Sequence, residues 1–322
     1  MATVGLIPNW YPPTRENYEL ILSLWKWFPV FASLQWAIPW YGMGKTSVTS
    51  RLNLPGRIGW LTMESPGFLT LLYTFSTLPS QLPSSPTSTL LLEKEGLPWQ
   101  NKVLAFLFVL HYTYRALLFP FLQPSMSPLH IVIWIAGAGF QVVNGLMLGA
   151  WLGGYGPTTQ AEWAAQLSFP GGWGGGTAQF VLGLGVFYVG LAANYYHDDE
   201  LREIRRRAGR RAREVAAKDG KPGPNQGQGQ SEKGAGKGVD KHYEIPQAGL
   251  FKVMLYPHYF VEWVEWFGFW MTAGWGCAPA RCFVLNEIAA MLPRAVSGRK
   301  WYAEKFGEER IRGRWAVIPG VW

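Results

Sequence analysis

The sequence predicts an all-α integral membrane protein: a bundle of seven transmembrane helices, six as the alternative count, around a buried cavity open to the cytosolic side. Three observations predict it. Of the 322 residues, 48% are hydrophobic and only 16% are charged, where ordinary soluble domains carry about 25% charged residues. Apolar stretches of roughly the 20 residues needed to span a bilayer recur along the chain. The basic residues behind the net charge of +8 flank those stretches, as in cytoplasmic membrane loops. A nucleic-acid-binding protein would spread them over a folded polar face. Mean hydropathy is only +0.01, because a hydrophilic block at about 198–241 dilutes the apolar remainder.

Taken in order, the spans fall at about 18–40, 60–79, 101–124, 128–153, 176–196, 248–275 and 276–293. Glu64 and Pro66 interrupt the second. The last is short and polar enough for a tilted or partly inserted helix, which is why six remains the alternative. The N-terminus has no basic region leading into a short apolar core, so no cleaved signal peptide is expected and the first stretch stays as a membrane helix. Basic segments alternate with non-basic ones. Lys45, Arg51 and Arg57 follow span one, a run from Arg202 to Arg213 follows span five, and Arg299, Lys300, Lys305, Arg310, Arg312 and Arg314 close the chain. The excess of Lys and Arg puts the 41–59 loop, the 197–247 loop and the C-terminus in the cytosol, with the N-terminus opposite. Residues 1–322 form a single membrane domain. Within it, 218–238 is a low-complexity Gly, Gln and Lys stretch, expected to be a disordered basic insertion without chemistry of its own. Cys277 and Cys282 have neither metal spacing nor the number for a disulfide framework. No metal site is expected.

Polar groups in apolar spans carry the functional reading, because a charge at bilayer depth is costly unless it is paired or meets a polar cavity. The stretch 242–270 holds Glu262 and Glu265, three positions apart and therefore on one helix face. Arg115 or Arg294 is the expected partner of one of them; a purely structural buried pair is the other reading. Glu64 precedes Pro66, and by itself could mark a helix start. His111, Tyr112, Tyr114 and Arg115 interrupt the third span; an interfacial aromatic–Arg belt competes there with a ligand role. Asn194, Asp198, Arg202 and Arg205 follow at helical spacings and share a face suited to a ribose and phosphates, or to lipid headgroups.

Together these clusters resemble the steroid 5α-reductase family. Tyr243-Glu244-Ile245-Pro246-Gln247-Ala248-Gly249-Leu250-Phe251 resembles its Y-x-I-P-x-G-G-L-F. Glu262-Trp263-Val264-Glu265-Trp266-Phe267-Gly268 resembles E-x-x-E-W-x-G. Trp301 to Phe306, with Arg314 and Ile318-Pro319, resembles the closing motif. Upstream, Asn194 to Arg205, His111 to Arg115 and Met63-Glu64 with Pro66 resemble further family motifs. The chain departs from the pattern at His258, where the family often has Asn, and at Ser297-Gly298-Arg299, where it often has His.

The resemblance implies a seven-helix endoplasmic-reticulum enzyme that uses NADPH to reduce the C4–C5 double bond of a 3-oxo-Δ4-steroid by hydride transfer. It implies Tyr112 and Glu64 as catalytic groups that polarise the carbonyl. It implies Asn194, Asp198, Arg205, Tyr243, His258, Glu262, Arg294, Tyr302 and Arg314 on the cofactor side. Glu64, Tyr112, Arg115 and Glu262 would line the substrate. Residues 60–196 would then supply the substrate side and 197–322 the cofactor side of a monomer in a lipid bilayer. A positioned Tyr and a protonated carboxylic acid suit this chemistry, because hydride addition to an enone places negative charge on the carbonyl oxygen. Two alternatives stand beside it. One keeps the fold and reduces a polyprenoid or a trans-2-enoyl-CoA. The other is a non-catalytic sterol-binding membrane protein.

Overall fold

The computed structural model describes residues 5–38, 40–44, 47–82, 96–167, 176–218 and 243–321, and the 219–238 part of the expected basic insertion lies outside them. Helices take up 74% of the described residues, which makes the fold helical rather than sheet-based. The named strands, β1 (Asn53–Leu54) and β2 (Leu129–His130), form one small antiparallel pair.

Helix α1 (Arg15–Trp25) begins where the Thr14 hydroxyl accepts a hydrogen bond from the Asn17 N–H, 3.3 Å away. The predicted first span, 18–40, does not continue as one helix. The chain breaks at Lys26–Trp27 and restarts as α2 (Phe28–Ala32), with Pro29 in its first turn, before a 3-10 turn at Ser33–Trp36. Proline brings no N–H to the ladder and is tolerated only near a helix start. The second span is α3 (Gly56–Thr77), which begins earlier than expected and carries Glu64 and Pro66 in its interior. Glu64 therefore marks no helix start.

Helix α4 (Trp99–Tyr112) runs through a π-helical turn at Thr113–Leu118 into Phe119–Leu122. Helix α5 (Ile131–Ala150) likewise ends in a π turn, Trp151–Tyr155. The short α6 (Gln160–Gln166) is capped reciprocally by Thr159 and Glu162. Helix α7 (Gly176–Lys218) has 43 residues, so it extends about 64 Å at 1.5 Å per residue, twice the roughly 30 Å of a bilayer core. The sixth predicted span is helical only from Pro257, as α8 (Pro257–Ala273). The seventh does not stop at 293. It continues through Pro293 as α9 (Ala278–Phe306), so Arg294, Arg299 and Tyr302 stand on a helix.

Among the described residues, three helical stretches are long and apolar enough to cross a membrane: Trp99–Leu122, Ile131–Tyr155 and Gly176–Glu214. They are the third to fifth predicted spans. Helices α3 and α9 carry buried acids that lower their hydropathy, and α8 has only 17 residues.

Small residues set the closest helix contacts, as is common where lipid removes the hydrophobic drive for association. Between α3 and α5, a Cβ on Gly145 would stand 2.1 Å from the Gly67 carbonyl oxygen. Between α7 and α8, a Cβ on Gly190 would meet the Glu265 backbone nitrogen at 2.5 Å, and one on Gly268 the Phe187 nitrogen at 2.4 Å. Aromatic side chains fill the bundle centre, with Phe108, Tyr112, Phe187, Trp266 and Phe283 all buried. The C-terminal strap closes the opposite end: Leu255 donates its N–H to the Trp315 carbonyl at 2.9 Å, and Tyr256 to that of Ala316 at 2.9 Å.

Gly145→Ala should therefore push α3 from α5 and destabilise the protein by about 1–3 kcal/mol. Thermal unfolding in detergent reads it. An unchanged midpoint would show that the two helices are not locked at this contact.

Candidate active site

The acids of α8 meet their partners on α4. Glu262 and Glu265 share a face as the spacing predicts, and both are buried. Glu265 Oε1 lies 2.7 Å from His111 Nδ1. Glu262 stands between two groups: its Oε1 is 3.9 Å from His111 Nε2, and its Oε2 is 3.8 Å from Arg115 Nη2. The same oxygen accepts a hydrogen bond from Asn194 Nδ2 at 3.2 Å, and that amide also donates to the His258 carbonyl at 3.0 Å. Arg115 reaches the other way to Asp198 Oδ2 at 3.5 Å, which also accepts from the Tyr114 hydroxyl at 3.2 Å. One chain of polar contacts thus runs Glu265–His111–Glu262–Arg115–Asp198–Tyr114 across α8, α4 and α7.

The π turn of α4 lies within this chain. π turns shift the register of a helix and recur at functional sites. The Arg115 carbonyl in that turn accepts from the Trp60 indole N–H at 2.9 Å. The Arg115 guanidinium is covered by the Trp60 ring, 5.0 Å from its centroid, and by Phe119, 4.9 Å away. Such cation–π contacts gain strength when desolvated.

Glu64 and Tyr112 stand behind this chain. Glu64 is buried and accepts a hydrogen bond from the Gln141 amide of α5; Arg115, Glu262 and Arg294 act on it electrostatically. Gly67 gives Gln141 its room, since a Cβ there would sit 2.6 Å from Gln141 Oε1. Tyr112 is 1% exposed. Its ring packs on Phe108 and His111 at centroid distances of 4.6 and 4.9 Å, and Glu64, Glu287 and Gln141 are its polar neighbours.

In front of the chain lies a cavity of about 310 Å³. Six of the residues predicted for the cofactor side or its border line it together: Asp198, Arg205, Tyr243, His258, Arg294 and Tyr302. Arg115 forms part of its wall, while Asn194, Glu262, Glu64 and Tyr112 stand back from it. Arg205 donates to Gln123 Oε1 at 3.1 Å, and Tyr243 and Tyr302 act on it electrostatically. Burial raises the Tyr243 phenol above its ordinary range, against the pull of Arg205.

Three placements differ from the expectation. Arg294 is no partner of either α8 acid; its guanidinium stacks on Tyr41 at 4.3 Å and Tyr259 at 5.5 Å. Arg314 does not line the cavity. It donates to the Pro246 carbonyl at 2.8 Å and to Gln247 Oε1 at 2.6 Å, and so braces the turn that carries Tyr243. Arg202 shares the predicted face of α7 but leaves the cavity: it is fully buried, pairs with Asp199 at 3.2 Å and stacks on Tyr195 at 5.0 Å.

Sequence reasoning missed Tyr41, Trp60, Gln141 and Glu287. Tyr41 and Trp60 come from a segment outside the motifs. Gln141, three positions before Asn144, and Glu287, directly after Asn286, are polar residues in otherwise apolar stretches, which was their only mark. Three guanidinium groups, the carboxylates of Asp198 and Glu244, a histidine and several tyrosine rings around one cavity fit a phosphorylated nucleotide: cations for phosphate, carboxylate for hydroxyl, rings for stacking.

Fold and site define a helical membrane-type protein with a buried acid–base core beside an anion-compatible cavity. Residues 235–322 match the family model described as 3-oxo-5-alpha-steroid 4-dehydrogenase. Across 288 residues the chain is 32% identical to the uncharacterized protein C9.08c of Schizosaccharomyces pombe, covering 86% of this chain and 89% of the relative. It is 26% identical to steroid 5-alpha-reductase DET2 of Solanum lycopersicum, over 95% of this chain and 96% of that one. It is 27% identical to 3-oxo-5-alpha-steroid 4-dehydrogenase 1 of Bos taurus, over 84% and 83%. The chain belongs to the steroid 5-alpha-reductase family. Membership makes it an oxidoreductase acting on a carbon–carbon double bond.

The His111–Glu265 contact predicts a specific energetic pattern. His111→Leu leaves Glu265 buried without its partner and should cost about 3–5 kcal/mol. Glu265→Leu in the same chain should recover much of that loss. A double-mutant cycle on thermal unfolding checks it, and additive losses would show that the two groups are uncoupled.

Proposed function

We propose that the chain reduces the C4–C5 double bond of a 3-oxo-Δ4-steroid with NADPH, as an endoplasmic-reticulum membrane protein with a cytosolic C-terminus. The observation that carries this reading is the convergence of six predicted cofactor-side residues on one cavity, with Arg115 in its wall tied to Glu262 and in electrostatic reach of Glu64. The names of the relatives supply the substrate class.

When bound, NADPH supplies the hydride. Arg205 and Arg294 would hold its anionic groups, with Asp198 for a hydroxyl and Tyr243 and Tyr302 for ring contact. His258 stands at the same cavity. Asn194 fixes the backbone at His258 through its 3.0 Å bond to that carbonyl. Arg314 acts one step away, by holding the Tyr243 turn.

The substrate carbonyl is assigned to Tyr112 and Glu64. As a bond to hydrogen forms at C5, electrons move through C4 to the carbonyl oxygen. The Tyr112 hydroxyl and the Glu64 carboxylic acid donate hydrogen bonds to that oxygen; a proton supplied with the help of Tyr112 and replaced from solvent then forms the C4–H bond as the ketone is restored. Preorganised donors at the site of developing charge are worth the most in a dry site. Dryness follows from the aromatic packing of Phe108, Trp266 and Phe283 around Tyr112, which also keeps water from competing for the hydride. Arg115 and Glu262 lie between the two halves, residues 60–196 on the substrate side and 197–322 on the cofactor side.

Two measurements test this. Purified protein should oxidise NADPH in the presence of a 3-oxo-Δ4-steroid. Turnover only with a polyprenal or a trans-2-enoyl-CoA would change the substrate class, and no cofactor binding at all would leave a sterol-binding protein. Tyr112→Phe should lower kcat by about two to four orders of magnitude while NADPH affinity stays similar; unchanged turnover would remove Tyr112 from the chemistry.

A further inference from the structure

Two buried acceptors beside Tyr112 are not used by the contacts above. Glu287 on α9 is 8% exposed, and its Oε2 has no hydrogen-bond partner among the described residues. Gln141 on α5 is 7% exposed and gives its amide to Glu64; its own Oε1 likewise has no partner among the described residues. Gln141 acts on the Tyr112 hydroxyl at hydrogen-bonding range and Glu287 acts on it electrostatically. Glu287 also feels Glu262, Glu64 and Arg115. The packing agrees with this placement: Phe140 and Phe283 meet at a centroid distance of 6.0 Å, next to Gln141 on α5 and one turn before Glu287 on α9.

A carboxyl at this depth is costly, and a buried acceptor without a donor is penalised further. No packing need calls for an acid there. Gln141 Oε1 and Glu287 Oε2 are each left without a donor among the described residues, so each suits a donor brought by the ligand. A carbonyl cannot supply one. An ammonium would lose its hydration at this depth, whereas a hydroxyl satisfies an acceptor at little cost.

We propose that Glu287, assisted by Gln141, determines substrate specificity by accepting a hydrogen bond from a hydroxyl carried close to the enone. The preferred substrate is then a hydroxylated apolar enone rather than the bare one. The enone part rests on the reductase reading; the hydroxyl part rests on the two buried oxygens.

The test uses the full chain in detergent with NADPH, one 3-oxo-Δ4-steroid and a panel of its derivatives with a single hydroxyl on ring A or B. At least one derivative should be preferred about tenfold or more in kcat/KM, mainly through KM. Glu287→Leu should bring that ratio near one, chiefly by loss on the hydroxylated steroid. Glu287→Gln keeps an acceptor oxygen and should retain part of the preference. No preferred derivative in the unaltered chain, or a preference that survives Glu287→Leu, overturns the proposal. If the leucine variant does not fold, the unaltered chain and Glu287→Gln still decide. If no steroid is turned over, the reductase reading fails separately. Thermal stabilisation by the same steroids then decides the hydroxyl site: stabilisation by a derivative beyond the parent steroid, kept in part by Glu287→Gln and lost in Glu287→Leu, supports it, and equal stabilisation overturns it.

Discussion

The Arg115 guanidinium is the constraint on which the rest of the site depends. It stands 3.5 Å from Asp198 on α7 and 3.8 Å from Glu262 on α8, while Trp60 of α3 and Phe119 on the continuation of α4 cover it. A permanent cation at this depth needs counter-charges, and the counter-charges need the cation. That mutual need ties three helices together at one point. It also puts the boundary of the cavity there, because Arg115 and Asp198 form part of the cavity wall and Glu262 stands behind them.

Short side chains can satisfy one another only if the helices come close. Gly190 and Gly268 let α7 and α8 approach to backbone contact, and Asp198 and Asn194 on α7 then reach the same network as Glu262. Gly67 and Gly145 do the same for α3 and α5, which brings Glu64 to Gln141. The π turn of α4 supplies the third adjustment, allowing Tyr114 and Arg115 to meet Asp198 together. Glycine contacts and the π turn are thus the structural side of the same site chemistry.

Much of this site was legible. The three-residue spacing of Glu262 and Glu265 predicts one face, and they share it. The span containing His111 and Arg115 predicts a partner for an acid, and both residues serve as one. The assignment between them was not legible: Glu265 pairs with His111, 154 positions away, and only helix packing brings such residues together. Arg294, an expected ion-pair partner, is enclosed by tyrosine rings, one of them Tyr41 from a segment with no motif. Arg314, expected at the cofactor, instead holds the turn beside it. The first predicted span failed as a single helix for a local reason, a proline just after a break in the ladder, which a hydropathy window averages away.

The sequence by itself determined the helical class, the apolar character of α4, α5 and α7, the family, and which charged residues would be expensive to bury. These follow from residue type and short-range spacing. The tertiary structure alone decided which acid meets which base, that Tyr41 and Trp60 join the cavity, and that Glu287 is buried with an oxygen left over. Each of these depends on the relative rotation and closeness of helices far apart in the chain, and that information is held in packing rather than in any local pattern.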